Sequence, residues 1–395
     1  MNRKLIITKL KNQIWTALFE DDKIAELHCT SEDDTKKVKL GDVYIGKVKN
    51  ILTNINAAFV EIKDGLECYY SIEENPCPIF THKTGKKPLC IGDEILVQIS
   101  KEALKTKAPT VSSKLNFTGK YAVLTTGDTR VGVSNKLDKE ERERLLHIVS
   151  PYVSNEYGII VRTNAKGIEG TALTEELDNL IREYRVLRQV SVTRTCYSCM
   201  KSSPKEYLLE LRNVYSENLS EIIVEDEELF NEMKVFLEKY QPEDLVKLRI
   251  YKDSLLPLHK LYNIEKCIAQ AIKEQVWLKS GAYLVIQPTE ALTVIDVNTG
   301  KFVSKKKDEE SVLKVNIEAA LEAARQIRLR NLSGIILIDF INMDNDEYMQ
   351  KLLLILNKEL SKDSVTTTLV DVTKLQLVEI TRKKVRKPLH ELIHA

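Results

Sequence analysis

YLVIQPTEALTVIDVNTG, residues 283–300, and GIILID, residues 334–339, decide the fold of the last third of the chain. YLVIQP and ALTVID read as two nearly all-apolar strands, and GIILID as a further buried strand. Between the second and third, Val312, Asn316, Ala319, Ala323 and Ile327 fall at helical spacing. The unit is therefore strand, crossover helix, strand. Two of the strands end in aspartate, Asp296 and Asp339, and a crossover of this kind brings two strand ends to one edge of a sheet.

Two carboxylates at neighbouring strand ends repel one another unless a cation or a shared proton compensates them. A hard divalent ion such as Mg²⁺ is the simplest partner, because it takes one or two carboxylates and fills its shell with water and substrate phosphate. The turn Asp296-Val297-Asn298-Thr299-Gly300 adds an amide able to orient a carboxylate. The competing reading makes Asp296 an Asx-turn and Asp339 a cap for the next segment, each bonded locally. The sequence contains no Walker loop, HExxH, GxGxxG or nucleophile elbow, which leaves hydrolysis without a covalent intermediate.

Working outward, residues 39–100 carry short strands with turn signals: VYIGKVKNIL, AAFVEI, ECYYSI and DEILVQISK. That spacing suits an OB-type barrel, with a β-sandwich fragment as the alternative. Residues 101–120 hold Lys101, Lys105, Lys107, Lys114 and Lys120 against Glu102. Such a stripe fits a nucleic-acid backbone or an edge strand guarded by lysines. Residues 121–190 read as a small α+β module. The opening residues alternate as hairpin strands do, and the acidic run from Glu225 to Glu228 reads as a helix N-terminus. Trp277 and most other aromatics read as core; Phe59 and Tyr69 are the exceptions, because they fall in the barrel.

The chain has 395 residues, enough for two to four domains, and its 43% apolar and 30% charged composition with 14 Gly and 10 Pro excludes collagen-like and wholly disordered classes. With 59 basic and 58 acidic residues, a nucleic-acid partner has to be met by local patches. No run of eighteen apolar residues and no signal-peptide pattern occurs, so a soluble, cytoplasmic protein is expected. Seven cysteines thinly spread do not form a secreted disulfide framework. Cys196-Tyr197-Ser198-Cys199 has the spacing of half a zinc site or a redox pair, but no second pair follows it.

WLKSGAYLVIQPTEALTVIDVNTGKFV (277–303) and NIEAALEAARQIRLRNLSGIILIDFINM (316–343) resemble the catalytic signatures of the RNase E/G family of endoribonucleases. VYIGKVKNILTNINAAFVEI, GIIVRT, LYNIE and LVEITRKKVR match in the expected order. The resemblance implies an α/β multidomain fold. In it, an RNase H-like core (1–38 and 207–272) is split by an OB-type RNA-binding barrel (39–100) and a 5′-sensor subdomain (101–206). A DNase I-like catalytic subdomain (273–395) follows. It further implies that Asp296 and Asp339 bind Mg²⁺ with support from Asn298. Phe59, Tyr69, Lys101 and Lys107 then contact single-stranded, A/U-rich RNA. Gly119, Val123, Arg162 and Thr163, with Lys374, recognise a 5′-monophosphate. The expected products carry 5′-phosphate and 3′-hydroxyl ends, in RNA processing and mRNA decay.

Departures from the family pattern shape these expectations. Lys374 stands where an arginine is common, and Ser134-Asn135-Lys136 lacks the usual arginines, so bidentate phosphate geometry is lost in part. The family's C-terminal cysteine pair does not occur before Ala395, so zinc and a zinc-linked assembly are not expected, while a homodimer is still compatible. The competing functional readings are a non-catalytic RNA-binding or assembly factor on the same scaffold, and a DNA nuclease.

Overall fold

The computed structural model describes residues 2–31, 38–103, 108–214, 219–253, 255–300 and 309–393. The chain divides into two units: Met1–Glu32 with Asn213–Ala395, and Asp33–Arg212. It is a mixed α/β protein built on four sheets among the described residues.

In the first unit, strands Arg3–Leu10, Gln13–Glu20 and Lys23–Ser31 form an antiparallel meander, extended on the Arg3–Leu10 side by the parallel strands Leu219–Val224 and Leu248–Ile250. The first hairpin turns through Lys11 and Asn12, both with positive φ (52° and 59°), a conformation that matches the twist of the flanking strands. The acidic run after Glu225 is a helix start, as its charge predicts: Asp226 caps the helix Glu227–Tyr240 by accepting from the Leu229 N–H.

The decisive stretch folds into a second sheet. Its order is Gln275–Trp277, Tyr283–Pro288, Leu292–Asn298, Gly334–Asp339, Val378–Arg382, Thr367–Val372. Only Leu292–Asn298 and Gly334–Asp339 are parallel neighbours. The helix Glu309–Leu329 makes the crossover that parallel pairing demands. With the helix Asp346–Leu360, it covers one face of the sheet. Leu284, Ile286, Ile295, Ile336, Ile338, Val378 and Ile380 on that face are all fully buried. Ala319, Ala320, Ala323 and Ala324 supply the small surface that lets the crossover helix lie close to them.

GIILID, read as a buried strand, is buried on one face only, as are its apolar neighbours. Tyr283, Val285, Asp296, Asn298, Leu337 and Asp339 alternate with the core residues, and Ile335 on their face is 50% exposed. Their apolar run does not report two-sided burial, because branched residues also fill a sheet face that carries a site.

In the second unit, Val43–Leu52, Ala57–Lys63, Leu66–Ser71, Thr110–Ser112 and Glu94–Lys101 pair in turn. The first and last also pair with each other, closing a five-stranded barrel. Closure removes the sheet edges, favouring the OB-type expectation over an open sandwich fragment. The fifth strand lies beyond the stretch 39–100 read as the barrel, because Thr110–Ser112 is too short to stand out in the sequence. Asn116–Thr118, Ala122–Thr125, Gly158–Val161 and Val131–Val133 form a separate sheet. Helices Lys139–Val149 and Gly170–Ser191 pack on it through Leu145, Leu173, Leu177 and Leu180.

Candidate active site

Period-two alternation sends Ile295 and Val297 into the core and Asp296 and Asn298 to the open face. Asp296 and Asp339 are direct register partners on the parallel pair, so their side chains leave the sheet on the same side. Asp296 is half-buried and Asp339 exposed. The Asn298 amide donates to Asp296 Oδ2 at 2.6 Å, across one pleat of the strand. Neither carboxylate accepts a backbone N–H among the described residues, so the reading of both as local turn and cap groups finds no support. No group of three or more His, Cys, Asp or Glu residues poised for a metal occurs among the described residues. The donor set is thus two hard carboxylates, which fits Mg²⁺ and leaves coordination positions for water and phosphate.

The crossover helix holds the loops at this edge. Asn316, fully buried, donates to the Ile341 carbonyl (2.7 Å) and accepts from the Ile341 N–H (3.1 Å), fixing the chain two residues after Asp339. The Glu318 carboxylate accepts from the N–H groups of Lys279 (2.6 Å) and Ser280 (3.2 Å), pinning the loop that precedes Tyr283. In the sequence Asn316 stands out only as a point of helical periodicity. A polar residue on an otherwise apolar helix face was the available signal.

Trp277 is corrected from core to surface: it is 56% exposed at the end of an edge strand, and its ring meets that of Tyr283 at 5.1 Å between centroids. The other tryptophan, Trp15, is the one that packs in a core, at 3% exposure.

On the barrel, the pairing brings three predicted residues into one row. Phe59 partners Tyr69, Tyr69 partners Thr110, and Thr110 partners Lys101. The two rings meet edge to face at 6.4 Å, half-buried, with Lys101 exposed at the end of the row. Lys107 lies outside the described residues. Lys120, counted in the basic stripe, is only 2% exposed and lies against the Tyr121 ring, so it adds nothing to a surface patch.

Gly119, Arg162 and Thr163 also converge. Arg162 donates through Nη1 to the Gly119 carbonyl at 2.8 Å, and Thr163 Oγ1 is 2.9 Å from Ser134 Oγ. Val123 sits opposite Ile160 in the same sheet. Burial pulls the Arg162 guanidinium below its ordinary pKa, an effect that Glu176 opposes. Glu176 fills a ring of amides, accepting from Lys120, Tyr121 and Ala122 N–H groups at 2.8 Å each. Burial raises its pKa against those three bonds. A Cβ on Gly119 would come within 2.3 Å of the Glu176 carboxylate and push it off its amides. Lys374, exposed, belongs to the other unit.

Cys196 and Cys199 are free thiols, and burial pushes Cys196 up to about 11, away from thiolate reactivity. No helix among the described residues is long and apolar enough to cross a membrane.

The sequence profile of the ribonuclease E/G family matches residues 116–385. The chain belongs to the ribonuclease E/G family. It is 33% identical to ribonuclease G of Haemophilus influenzae over 401 aligned residues, covering 99% of this chain and 81% of that protein. With Escherichia coli K12 ribonuclease G the identity is 32%, over 100% of this chain and 82% of the relative. Ribonuclease E of Synechocystis is 33% identical across 98% of this chain, which spans 58% of that longer protein. The profile match takes in both aspartates, the Arg162 cluster and Lys374, and begins after the barrel row. The relatives extend the likeness over that row as well.

Proposed function

We propose that this ribonuclease E/G family member is an Mg²⁺-dependent endoribonuclease that cuts single-stranded RNA in the cytoplasm, in RNA processing and mRNA decay. The observation that carries the reading is the direct pairing of Asp296 with Asp339 on an open sheet face. These two carboxylates would hold the ion. When bound, it supplies Lewis-acid charge neutralisation and activates water for attack on phosphorus. Asn298 restrains one oxygen of Asp296, and Asn316 and Glu318 keep the surrounding loops from drifting. Attack by water breaks the P–O3′ bond, leaving a 5′-phosphate on one fragment and a 3′-hydroxyl on the other.

In this reading Phe59 and Tyr69 stack on bases and Lys101 and Lys107 meet the backbone, with A/U-rich strands favoured. Gly119, Val123, Arg162 and Thr163 form the 5′-monophosphate sensor. Arg162 donates to the Gly119 and Lys120 carbonyls, which holds its guanidinium beside Gly119. The subdomains are those of the family: an RNase H-like core, an OB-type barrel, the sensor and a DNase I-like catalytic part.

The test is cleavage of one A/U-rich single-stranded RNA bearing a 5′-monophosphate or a 5′-hydroxyl, with Mg²⁺ and with chelator, beside DNA of the same sequence. Metal-dependent cutting of RNA, faster for the monophosphate, is expected. Cutting that ignores the 5′ end overturns the sensor alone. Cutting that survives chelation, or none at all, overturns the catalytic reading.

A further inference from the structure

The open face of the catalytic sheet carries an aromatic pair that the reaction as described does not use. Trp277 partners Tyr283 across one strand pair, and Tyr283 partners Asn298 across the next. Direct partners point to the same side, so Trp277, Tyr283 and Asn298 form a row on the face that bears Asp296 and Asp339. That row is one pleat from the carboxylates. With strands ~4.8 Å apart and ~3.3 Å of rise per residue, Trp277 lies roughly 12 Å from Asp296.

The pair is built into place. Gly300 adopts φ +54°, and a Cβ there would meet the Gly281 carbonyl at 2.5 Å and Tyr283 Cδ1 at 3.0 Å, so the turn after Asn298 leaves the room that the Tyr283 ring fills. The Trp277 ring leans on the other ring at 53°. Glu318 clamps the connecting loop through Lys279 and Ser280. Trp277 nevertheless stays 56% exposed. An aromatic surface continuous with a site that handles single-stranded nucleic acid has a natural occupant in a base, because every base offers a π-face.

We propose that Trp277, backed by Tyr283, stacks on a nucleobase of the RNA strand close to the scissile phosphate and so positions the substrate in the Asp296–Asp339 site. The inference rests on the endoribonuclease reading above. Stacking accepts any base, and larger rings stack more strongly, so a purine is favoured over a pyrimidine at the nucleotide it holds.

The full chain contains two tryptophans, and Trp15 is buried, so the Trp277 contribution is the emission lost on Trp277→Phe. Titration with a single-stranded RNA in chelator, where no cutting occurs, is expected to quench that emission to saturation, and Trp277→Phe to abolish the quench. In Mg²⁺, Trp277→Ala is expected to raise KM about fivefold to a hundredfold, with the loss in KM rather than kcat, and Trp277→Phe to recover most of it. An abasic residue placed beside the scissile phosphate should cost the wild type a similar factor and cost Trp277→Ala almost nothing more. Absence of quenching, a KM unmoved by Trp277→Ala, or an abasic cost equal in both proteins overturns the platform, as does an effect confined to oligomeric state. Failure of the endoribonuclease reading looks different: quenching by RNA persists while Mg²⁺ elicits no cleavage.

Discussion

The six-stranded sheet has two faces made by the same residues in alternation, and they do opposite work. On the covered face Ile295 and Ile338 are completely buried under the crossover helix. One position further along each strand, Asp296 and Asp339 stand on the open face. The strand period of two thus places fully buried contacts next to a pair of carboxylates on neighbouring strands. The covered face anchors backbones rigidly enough for the open face to keep two like charges side by side.

The hardest break of that comparison is Ile295→Asp, which moves a carboxylate one residue and so to the wrong side. An unpaired charge in the alanine-lined core costs more than ~4 kcal/mol, and loss of the cooperative urea transition of the first unit is the expected outcome. Ile338→Ala is milder, about 2–4 kcal/mol by transfer and cavity terms. Its urea midpoint should fall while the folded fraction still cleaves, which separates the stabilising face from the chemical one.

A third effect concerns the ion pairs that join the crossover helix to the first sheet. Arg328 donates to both oxygens of Glu20 at 2.7 and 3.0 Å and lies 3.6 Å from Glu26. Burial alone would raise the Glu26 pKa, but the bond to His28 and the Arg328 charge outweigh it and hold the carboxyl at about 2. A depressed carboxyl contributes stability that is whole above the unfolded value near 4.5 and is lost as pH falls towards 2. Urea unfolding at pH 7, 4 and 3 should show that decline, and Glu26→Gln should flatten it. The smallest effect is on the barrel. Phe59→Ala should weaken binding of single-stranded RNA by about 1–3 kcal/mol in a salt-matched titration, leaving the melting temperature nearly unchanged.

The sheet that carries the candidate site was legible because three signals agreed: apolar strands, helical spacing between them, and an aspartate at each relevant strand end. The barrel was legible in the strands that hold Phe59 and Tyr69, but its row was not, because Thr110–Ser112, which links Tyr69 to Lys101, is too short to read. Trp277 misled because an aromatic in an apolar context reads as core, and only pairing shows that Gln275–Trp277 is an edge strand. Lys120 misled in the other direction, since a count of lysines does not register a side chain folded against a ring. The Glu176 amide ring and the Asn316 clamp were invisible, because each depends on partners 54 to 56 and 25 residues away.

The central claim is that Asp296 and Asp339 form one metal-dependent cutting centre on the open face. Single-turnover cleavage of single-stranded RNA by wild type, Asp296→Asn and Asp339→Asn, with RNA binding measured in parallel, tests it most directly. Cleavage reduced by about a thousandfold or more in each variant, with binding intact, is the predicted result. Mg²⁺-dependent cleavage at the wild-type rate in either variant would contradict it.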